Sequence, residues 1–353
     1  MKDTKSFGKF FSVITICFIL SLLTSVDSKA QDTNYVFITA KNGDGILKIL
    51  QQNGLTEAVS LSNFIELNKG LLGKNNTLIT GRKYKLPGLL SLQPDTVQKK
   101  EPVGLAPKTI IEPLFGKEYE RIEIVDQQLK GAAFYLVSGH GGPDPGAMGK
   151  IGTNILCEDE YAYDVTLRFG RELIRHGAKA FFIVRDPNDG IRNELYLKNS
   201  KDEMCFPDKE IPLNQVERLK QRVDAINNLN RNDKQSSYKR CIEIHVDSRN
   251  KKENIDIFFY FKAENKNGER LCLTMRNSIE RKYQLKQPGR GYSGDVSTRN
   301  LYMLNKTIPT AIFIELGNIQ HIRDQQRLVF ENNRQALAKW MCDGVIEDFQ
   351  KSK

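Results

Sequence analysis

Between residues 130 and 350, short apolar runs alternate with segments in which apolar residues recur at helical spacing. The apolar runs lie at residues 132–138, 179–184, 241–246, 255–261 and 310–316. The helical patterns lie at residues 162–173, 211–229, 271–283 and 324–349. Apolar runs without alternation are typical of strands that are buried on both faces. The pattern therefore predicts an α/β fold, with a mostly parallel, twisted sheet flanked by helices.

A smaller pattern precedes this one, between residues 35 and 87. The stretch YVFITAKNGDGILKILQQNG predicts a strand, a turn and a helix, SLSNFIELNKG predicts a second helix, and NNTLITGRKYKLPG predicts a returning strand. This order, with Tyr35, Asn42-Gly43-Asp44, Leu67-Asn68 and Leu86-Pro87, resembles the lysin motif, a small βααβ module that binds glycans containing N-acetylglucosamine. The resemblance implies a glycan-binding module at 35–87, and a plain spacer domain is the alternative.

Two segments differ in composition from the rest of the chain. Lysines at 2, 5 and 9 precede an apolar run at 10–23, and Ser28-Lys29-Ala30 supplies a cleavage-type site, so residues 1–30 are predicted to be an export signal. The apolar run is too short for a membrane span, and we expect an exported protein of the periplasm or cell envelope that does not span the membrane. Prolines and a charge cluster at 88–114 predict a linker, which leaves 115–353 as the second domain.

The formal net charge of +10 over 353 residues favours an anionic partner. The basic residues are scattered, without the arginine-rich helix or aromatic-interleaved strand that is typical of nucleic-acid binding. An exported basic protein meets the acidic polymers of the cell envelope. We therefore expect such a polymer as the partner, and no nucleic acid.

Three predicted strands end in side chains that can bind a metal or carry a proton. His140 follows the run at 132–138, His245 lies near the end of 241–246, and Glu315 closes 310–316. Ligands bind at the carboxyl ends of the strands in open α/β sheets, so we expect these side chains at one edge. A buried carboxylate such as that of Glu315 costs several kcal/mol unless it meets a cation, a metal or a functional proton.

Two histidines and a carboxylate are the usual protein ligands of a catalytic zinc ion, with the fourth position left for water. If Glu315 is kept for catalysis, the carboxylate ligand must come from elsewhere. Glu158, Asp159 and Glu160 stand where the first helix of this domain begins. Acidic residues there also complement the helix dipole, so these residues alone leave the third ligand open.

Several segments of the sequence resemble the motifs of one known protein family. SGHGGPDPGAMG, at 138–149, is similar to the GHGGxDPGA signature of the zinc-dependent N-acetylmuramoyl-L-alanine amidases, which have a phosphorylase/hydrolase-like α/β fold. Further segments match the family's patterns in order: Glu158 with DVTLRF at 164–169 and Gly177, VRDPND at 184–189, LKQRVDAIN at 219–227, IEIHVDS at 242–248 in place of a SIHANA-like strand, and IPTAIFIELGNI at 308–319 in place of PAVLVELGFI.

The resemblance implies a site and a reaction. Zn²⁺ would be held by His140, Glu158 and His245, with Glu315 as the catalytic residue, and the spacing favours Glu158 over Glu160. The implied reaction is hydrolysis of the amide bond between N-acetylmuramic acid and L-alanine in peptidoglycan, during cell-wall remodelling or cell separation. Asp144, Asn318 and His321 are candidates for supporting or substrate contacts.

The chain also departs from the family pattern. Three extra residues lie between Gly152 and Glu158, the stretch around 202–212 looks inserted, and Asn305 and Asn318 replace an arginine and an aromatic residue. The insertion is a candidate lid, and a regulatory protein is a candidate partner. Two alternative functions stand beside the amidase: a non-catalytic glycan-binding envelope protein, and a zinc carboxypeptidase that acts on the stem peptide.

Overall fold

The computed structural model describes residues 35–41, 44–46, 49–50, 58–73, 76–90, 108–287 and 289–353. The chain divides into two compact units, within 1–102 and 103–353. The predicted export signal, most of the predicted linker and most of the first helix of the lysin-like module lie outside the described residues.

The described residues of the first unit include β1 (Tyr35–Thr39), α1 (Ala58–Leu67) and β2 (Lys83–Leu90). β1 and β2 pair antiparallel. Asn68, directly after α1, is fully buried, and its amide bonds the carbonyl of Phe64 and both backbone groups of Lys85. This side chain therefore joins the end of the helix to the returning strand. The described strand, helix and strand come in the order predicted for them, and the βααβ assignment as a lysin motif stays a prediction.

The second unit is built around a six-stranded sheet. Its strands are β5 (Ala132–Ser138), β8 (Lys179–Phe182), β12 (Tyr238–Asp247), β13 (Phe258–Phe261), β14 (Val296–Thr298) and β15 (Thr310–Asn318). Their order across the sheet is β14-β13-β15-β12-β5-β8. Neighbouring strands run parallel except β13 and β15, which are antiparallel. The mostly parallel sheet is as predicted.

Helices cover both faces of this sheet, as the continuous apolar runs require. They are α2 (Glu158–Arg175), α3 (Gln215–Asn232), α4 (Lys266–Lys286), α5 (Tyr302–Lys306), α6 (Ile322–Val329) and α7 (Glu331–Lys351). Phe134 and Leu136 of β5 pack in one core with α2, α4 and α7, whereas Tyr135 and Val137 pack in the other with α3 and α5. None of the described helices has the length and apolarity needed to cross a membrane.

Short strands and a 3₁₀ turn are the other described elements of the second unit. They are β3 (Thr109–Ile111), the turn Pro113–Phe115, β4 (Arg121–Glu123), β6 (Met148–Ile151), β7 (Asn154–Cys157), β9 (Val184–Arg185), β10 (Met204–Cys205) and β11 (Lys209–Glu210). The extra residues before Glu158 form the β6–β7 hairpin, which turns at Gly152. Since β2 runs to Leu90 and β3 starts at Thr109, residues 88–90 and 109–111 of the predicted linker at 88–114 lie in strands, and residues 113–114 lie in the 3₁₀ turn.

The helical pattern at 324–349 belongs to two helices rather than one. α6 ends at Val329 and α7 begins at Glu331. The guanidinium of Arg334 donates to the carbonyls of Leu328 and Val329. These are carbonyls that a helix leaves without partners at its end, so Arg334 stabilises the break.

Candidate metal centre

Three neighbouring strands bring the predicted side chains to one edge of the sheet. The register pairs His245 of β12 with Glu315 of β15, and Ile244 with Ser138 of β5. His140 follows two residues after Ser138. His140, His245 and Glu315 line one cavity of about 400 Å³, together with Glu158 at the start of α2. The prediction that strand ends meet in a common site therefore agrees with the structure.

Glu158 lies between the two imidazoles. Its Oε2 is 3.2 Å from Nε2 of His140, and its Oε1 is 2.8 Å from Nδ1 of His245. One donor atom from each of the three side chains lies within 4.8 Å of the others. The structure thus brings together two nitrogen ligands and one oxygen ligand that could share a single ion.

Glycines of the GHGG segment and of the turn that follows make room for this cluster. A Cβ on Gly139 would lie 2.3 Å from Nδ1 of His245, and a Cβ on Gly146 would lie 2.7 Å from Oε2 of Glu158. His140 itself has a φ of 59°, in the left-handed region that few residues other than glycine adopt. Backbone strain at His140 is consistent with a functional position.

Hydrogen bonds keep the Glu158 carboxylate ionised. Burial raises its pKa, but the hydrogen bonds with His140 and His245 outweigh burial and hold the pKa well below its ordinary value. The backbone N–H groups of Ala147 and Val246 also donate to this carboxylate, over 2.7 Å and 2.9 Å. A charged carboxylate held in place by these donors is suited to bind a cation.

Glu160 points to a different set of partners. Its carboxylate accepts hydrogen bonds from Arg192 over 2.8 Å and from the backbone of Ser200 over 2.5 Å. With Asp159 and Glu203 it forms a second group of buried carboxylates. Among the three acidic residues at the start of α2, Glu158 is the one that meets the histidines.

Each imidazole meets another carboxylate on its second nitrogen. Oδ2 of Asp144 is 2.9 Å from Nδ1 of His140 and accepts a hydrogen bond from Arg218 over 2.6 Å. Oε1 of Glu243 is 3.3 Å from Nε2 of His245. Asp144 was a sequence candidate for such a contact, whereas Glu243 was missed. The available signal was its position, since Glu243 lies two residues before His245 and so shares its face of the strand.

Glu315 has surroundings unlike those of Glu158. Its Oε2 is buried and has no hydrogen-bond partner among the described residues. Burial raises the pKa of Glu315 to about 8, against a lowering effect of His245 and with a further raising effect of Glu158. A carboxyl group with this pKa can both accept and release a proton near neutral pH.

The carboxylates around His245 stabilise positive charge on its ring. Burial lowers the pKa of His245, but the hydrogen bonds with Glu158 and Glu243 outweigh burial and raise the pKa to about 10. A proton on this ring therefore partly balances the negative charge of the carboxylates around it. A divalent cation fits the same place, and the donor set suits zinc.

Two other sequence candidates do not reach the cavity. Asn318 is fully buried, and its amide bonds the backbone of Arg249, Asn250 and Glu253. It therefore holds the loop after β12. His321 precedes α6, with Nδ1 3.9 Å from Oδ2 of Asp324. Neither residue lines the cavity that contains Glu315.

The family model described as N-acetylmuramoyl-L-alanine amidase matches residues 135–347. The chain is similar to the CwlD amidase from Clostridioides difficile in complex with the GerS lipoprotein, at 17% identity and a TM-score of 0.46, over 62% of this chain and 98% of that chain. It is similar to the amidase AmiC2 of Nostoc punctiforme, at 19% identity and a TM-score of 0.45, over 62% of this chain and 98% of that chain. No curated protein sequence matches the chain.

Proposed function

The chain belongs to the N-acetylmuramoyl-L-alanine amidase family, and we propose that its reaction depends on one zinc ion held by His140, Glu158 and His245. The enzyme hydrolyses the amide bond that joins the lactyl group of N-acetylmuramic acid to L-alanine in peptidoglycan. One observation carries the zinc proposal. Ligand atoms from a loop, a helix start and a strand converge within 4.8 Å of one another.

The ligand set supports zinc over harder ions. Imidazole nitrogen suits zinc, whereas calcium and magnesium prefer sites made of oxygen alone. Three protein ligands leave one position for water or substrate, as in catalytic zinc sites. When bound, zinc supplies Lewis-acid chemistry, because it lowers the pKa of a water molecule and polarises a carbonyl group.

Glu315 is the proposed proton carrier. It lines the same cavity as the ligands, pairs in register with His245, and its Oε2 has no competing hydrogen bond in the described chain. In the reaction a C–O bond forms between water and the carbonyl carbon, and the C–N bond breaks. Glu315 takes a proton from the attacking water and passes it to the leaving nitrogen. The products are the lactyl carboxylic acid, which then loses its remaining proton to water, and the free amine of L-alanine.

The predicted organisation of the chain favours a role in the cell envelope. We propose that residues 1–30 direct export, that 35–87 bind glycan as a lysin-like module, that 88–114 link the domains, and that 115–353 form the catalytic domain. Peptidoglycan, with its glycan strands and stem peptides, is the proposed partner. A regulatory protein partner stays a prediction.

A digest of purified sacculi tests this function. The full chain with zinc is expected to release intact stem peptides with a free L-alanine amine, together with peptide-free glycan strands. A chelator should abolish this release, and added zinc should restore it.

The same digest separates the alternatives. A zinc carboxypeptidase would release single C-terminal amino acids and leave the stems attached to glycan. A non-catalytic glycan-binding protein would bind the sacculi and release nothing. If stem peptides are released and a chelator does not affect their release, the zinc proposal is wrong and the amidase activity still stands.

A further inference from the structure

Glu243 is a buried carboxylate for which the reaction described above has no role. It is 2% exposed, in the middle of β12, and lines the same cavity as His245 and Glu315. Its Oε1 is 3.3 Å from Nε2 of His245, and its Oε2 has no hydrogen-bond partner among the described residues. A buried carboxylate in this state needs a neighbouring positive charge or a strong donor.

Two side chains can supply such a positive charge or hydrogen-bond donor to Glu243. Arg222 of α3 is near enough for the charge of Glu243 to raise its pKa, against the larger lowering effect of burial. However, Arg222 donates a hydrogen bond to the backbone carbonyl of His140, and its buried Nε has no partner in the described chain. His245 is the side chain that meets Glu243 directly. The geometry therefore favours His245 as the group on which Glu243 acts.

We propose that Glu243 is a positioning residue that accepts a hydrogen bond from Nε2–H of His245 and so presents Nδ1 of this ring to the metal. The inference rests on the proposed function, because it assumes an ion shared with Glu158. A neutral imidazole carries one N–H, so a hydrogen bond at Nε2 leaves the lone pair on Nδ1. A carboxylate in this place also makes the ring a stronger ligand.

The plane of the His245 ring is fixed by a different side chain from Glu243. Phe313 of β15 stacks on the ring, with centroids 4.3 Å apart and planes 18° apart. Stacking fixes the plane but does not distinguish a ring from its flipped form. In a flipped ring, carbon atoms would face Glu158 and Glu243 in place of the nitrogens. Glu243 therefore favours this ring orientation over the flipped one, which stacking on Phe313 does not do.

The arrangement at His245 resembles the one at His140 and differs in one respect. Asp144 faces Nδ1 of His140, but its carboxylate also accepts from Arg218 and from the backbone of Gly146. Glu243 has no such additional donor among the described residues. The SIHANA-like pattern has serine two places before the histidine, where this chain has Glu243.

Zinc affinity of the full chain tests the proposal. The dissociation constant is measured by competition with a chromophoric chelator for the wild type, Glu243→Ala and Glu243→Gln. We expect Glu243→Ala to weaken zinc binding by about 10- to 100-fold, which is typical for loss of such a partner. Glu243→Gln keeps an oxygen acceptor and should recover part of the loss. Cys241→Ala is the matched control, because Cys241 is buried on the same face of β12, two residues farther from His245.

The visible absorption spectrum of the cobalt(II)-substituted protein supplies a readout that a purely structural role would not change. We expect altered cobalt bands in both Glu243 variants and unaltered bands in Cys241→Ala. If Glu243→Ala does not fold, the nearly isosteric Glu243→Gln carries the test. Wild-type affinity and an unchanged cobalt spectrum in the Glu243 variants would overturn the positioning role and leave Glu243 as a counter-charge for Arg222. A wild type that binds no zinc would instead overturn the proposed function.

Discussion

Glu158 and Glu315 line one cavity, and their surroundings give them opposite properties. Glu158 has two imidazoles and two backbone N–H groups around its oxygens, which hold its pKa low. Oε2 of Glu315 has no donor among the described residues, and burial raises the pKa to about 8. Two carboxylates whose pKa values are pushed apart in this way are suited to different tasks. The first is suited to bind a cation and the second to move a proton.

Replacing Glu315 tests its role as the proton carrier. Glu315→Gln keeps the size of the side chain and removes its ability to accept a proton. We expect kcat on peptidoglycan fragments to fall by about 10²- to 10⁴-fold, the usual contribution of general acid–base catalysis. Zinc content, measured by mass spectrometry of the same preparation, should be unchanged. Full activity in this variant would remove Glu315 from the mechanism.

Replacing each of the two glutamates at the start of α2 in turn tests which of them is the metal ligand. Glu158→Gln removes the charge that lies between the two imidazoles, and the dialysed protein should lose its zinc. Glu160→Gln is the matched variant, since this residue is paired with Arg192 and not with the histidines. The Glu160→Gln variant should keep the same ratio of zinc to protein as the wild type. The opposite pattern would mean that Glu160 is the ligand.

Much of the site follows from local sequence signals, and the rest depends on tertiary contacts. His140, His245 and Glu315 were predicted from the ends of apolar runs, and parallel strands do bring them to one edge. Glu243 was missed because a single charged residue in an apolar strand does not reveal which neighbour it faces. Asn318 was placed among the candidate contacts, although its partners lie in the loop after β12, which sequence spacing does not locate.

At the scale of elements, α2 and α7 are joined by a buried ionic network. Asp164 of α2 is fully buried and accepts from Nε of Arg168 and from Nε of Arg334, over 2.7 Å and 2.6 Å. The backbone N–H of Arg192 donates to its other oxygen over 2.7 Å. Since α2 also begins with Glu158, this network helps to fix the helix that carries a proposed ligand.

Loss of Asp164 should be costly for stability. Asp164→Asn leaves two buried guanidinium groups without their shared counter-charge, and removal of one partner from such a network costs about 3–5 kcal/mol. Urea denaturation of the full chain should show this loss in the free energy of unfolding. Asp224→Asn, at an exposed pair with Lys220, should show no measurable change. A near-wild-type stability for Asp164→Asn would contradict the structural importance of the network.

The elements that sequence analysis did not resolve are short or joined end to end. β9, β10 and β11 have two residues each, which is too few for a periodic signal. The pattern at 324–349 continues across Phe330, and the break there depends on Arg334, which bonds the end of α6 from within α7. Long buried strands and long amphipathic helices were the elements that the pattern predicted well.

At the scale of the whole molecule, the chain consists of two compact units. Each described unit has its own core, with Phe64 and Tyr84 central to the first, and Phe134 and Phe169 central to the second. A unit with a core of its own can fold alone.

We therefore expect a chain that begins at residue 103 to fold and to keep its kcat on soluble muramoyl peptides. Circular dichroism and the rate of L-alanine amine release check this. If residues 35–87 bind glycan, the shortened chain should also bind sacculi more weakly than the full chain. An unfolded or inactive shortened chain would contradict the independence of the second unit.

The position of the bound ion tests the central claim most directly. Crystals of the full chain with zinc, measured on both sides of the zinc absorption edge, should show one anomalous peak between Nε2 of His140, Nδ1 of His245 and the carboxylate of Glu158. The peak should lie about 2.0–2.2 Å from each ligand atom. A peak at the carboxylates of Asp159, Glu160 and Glu203 instead, or no peak between the histidines, would contradict the account.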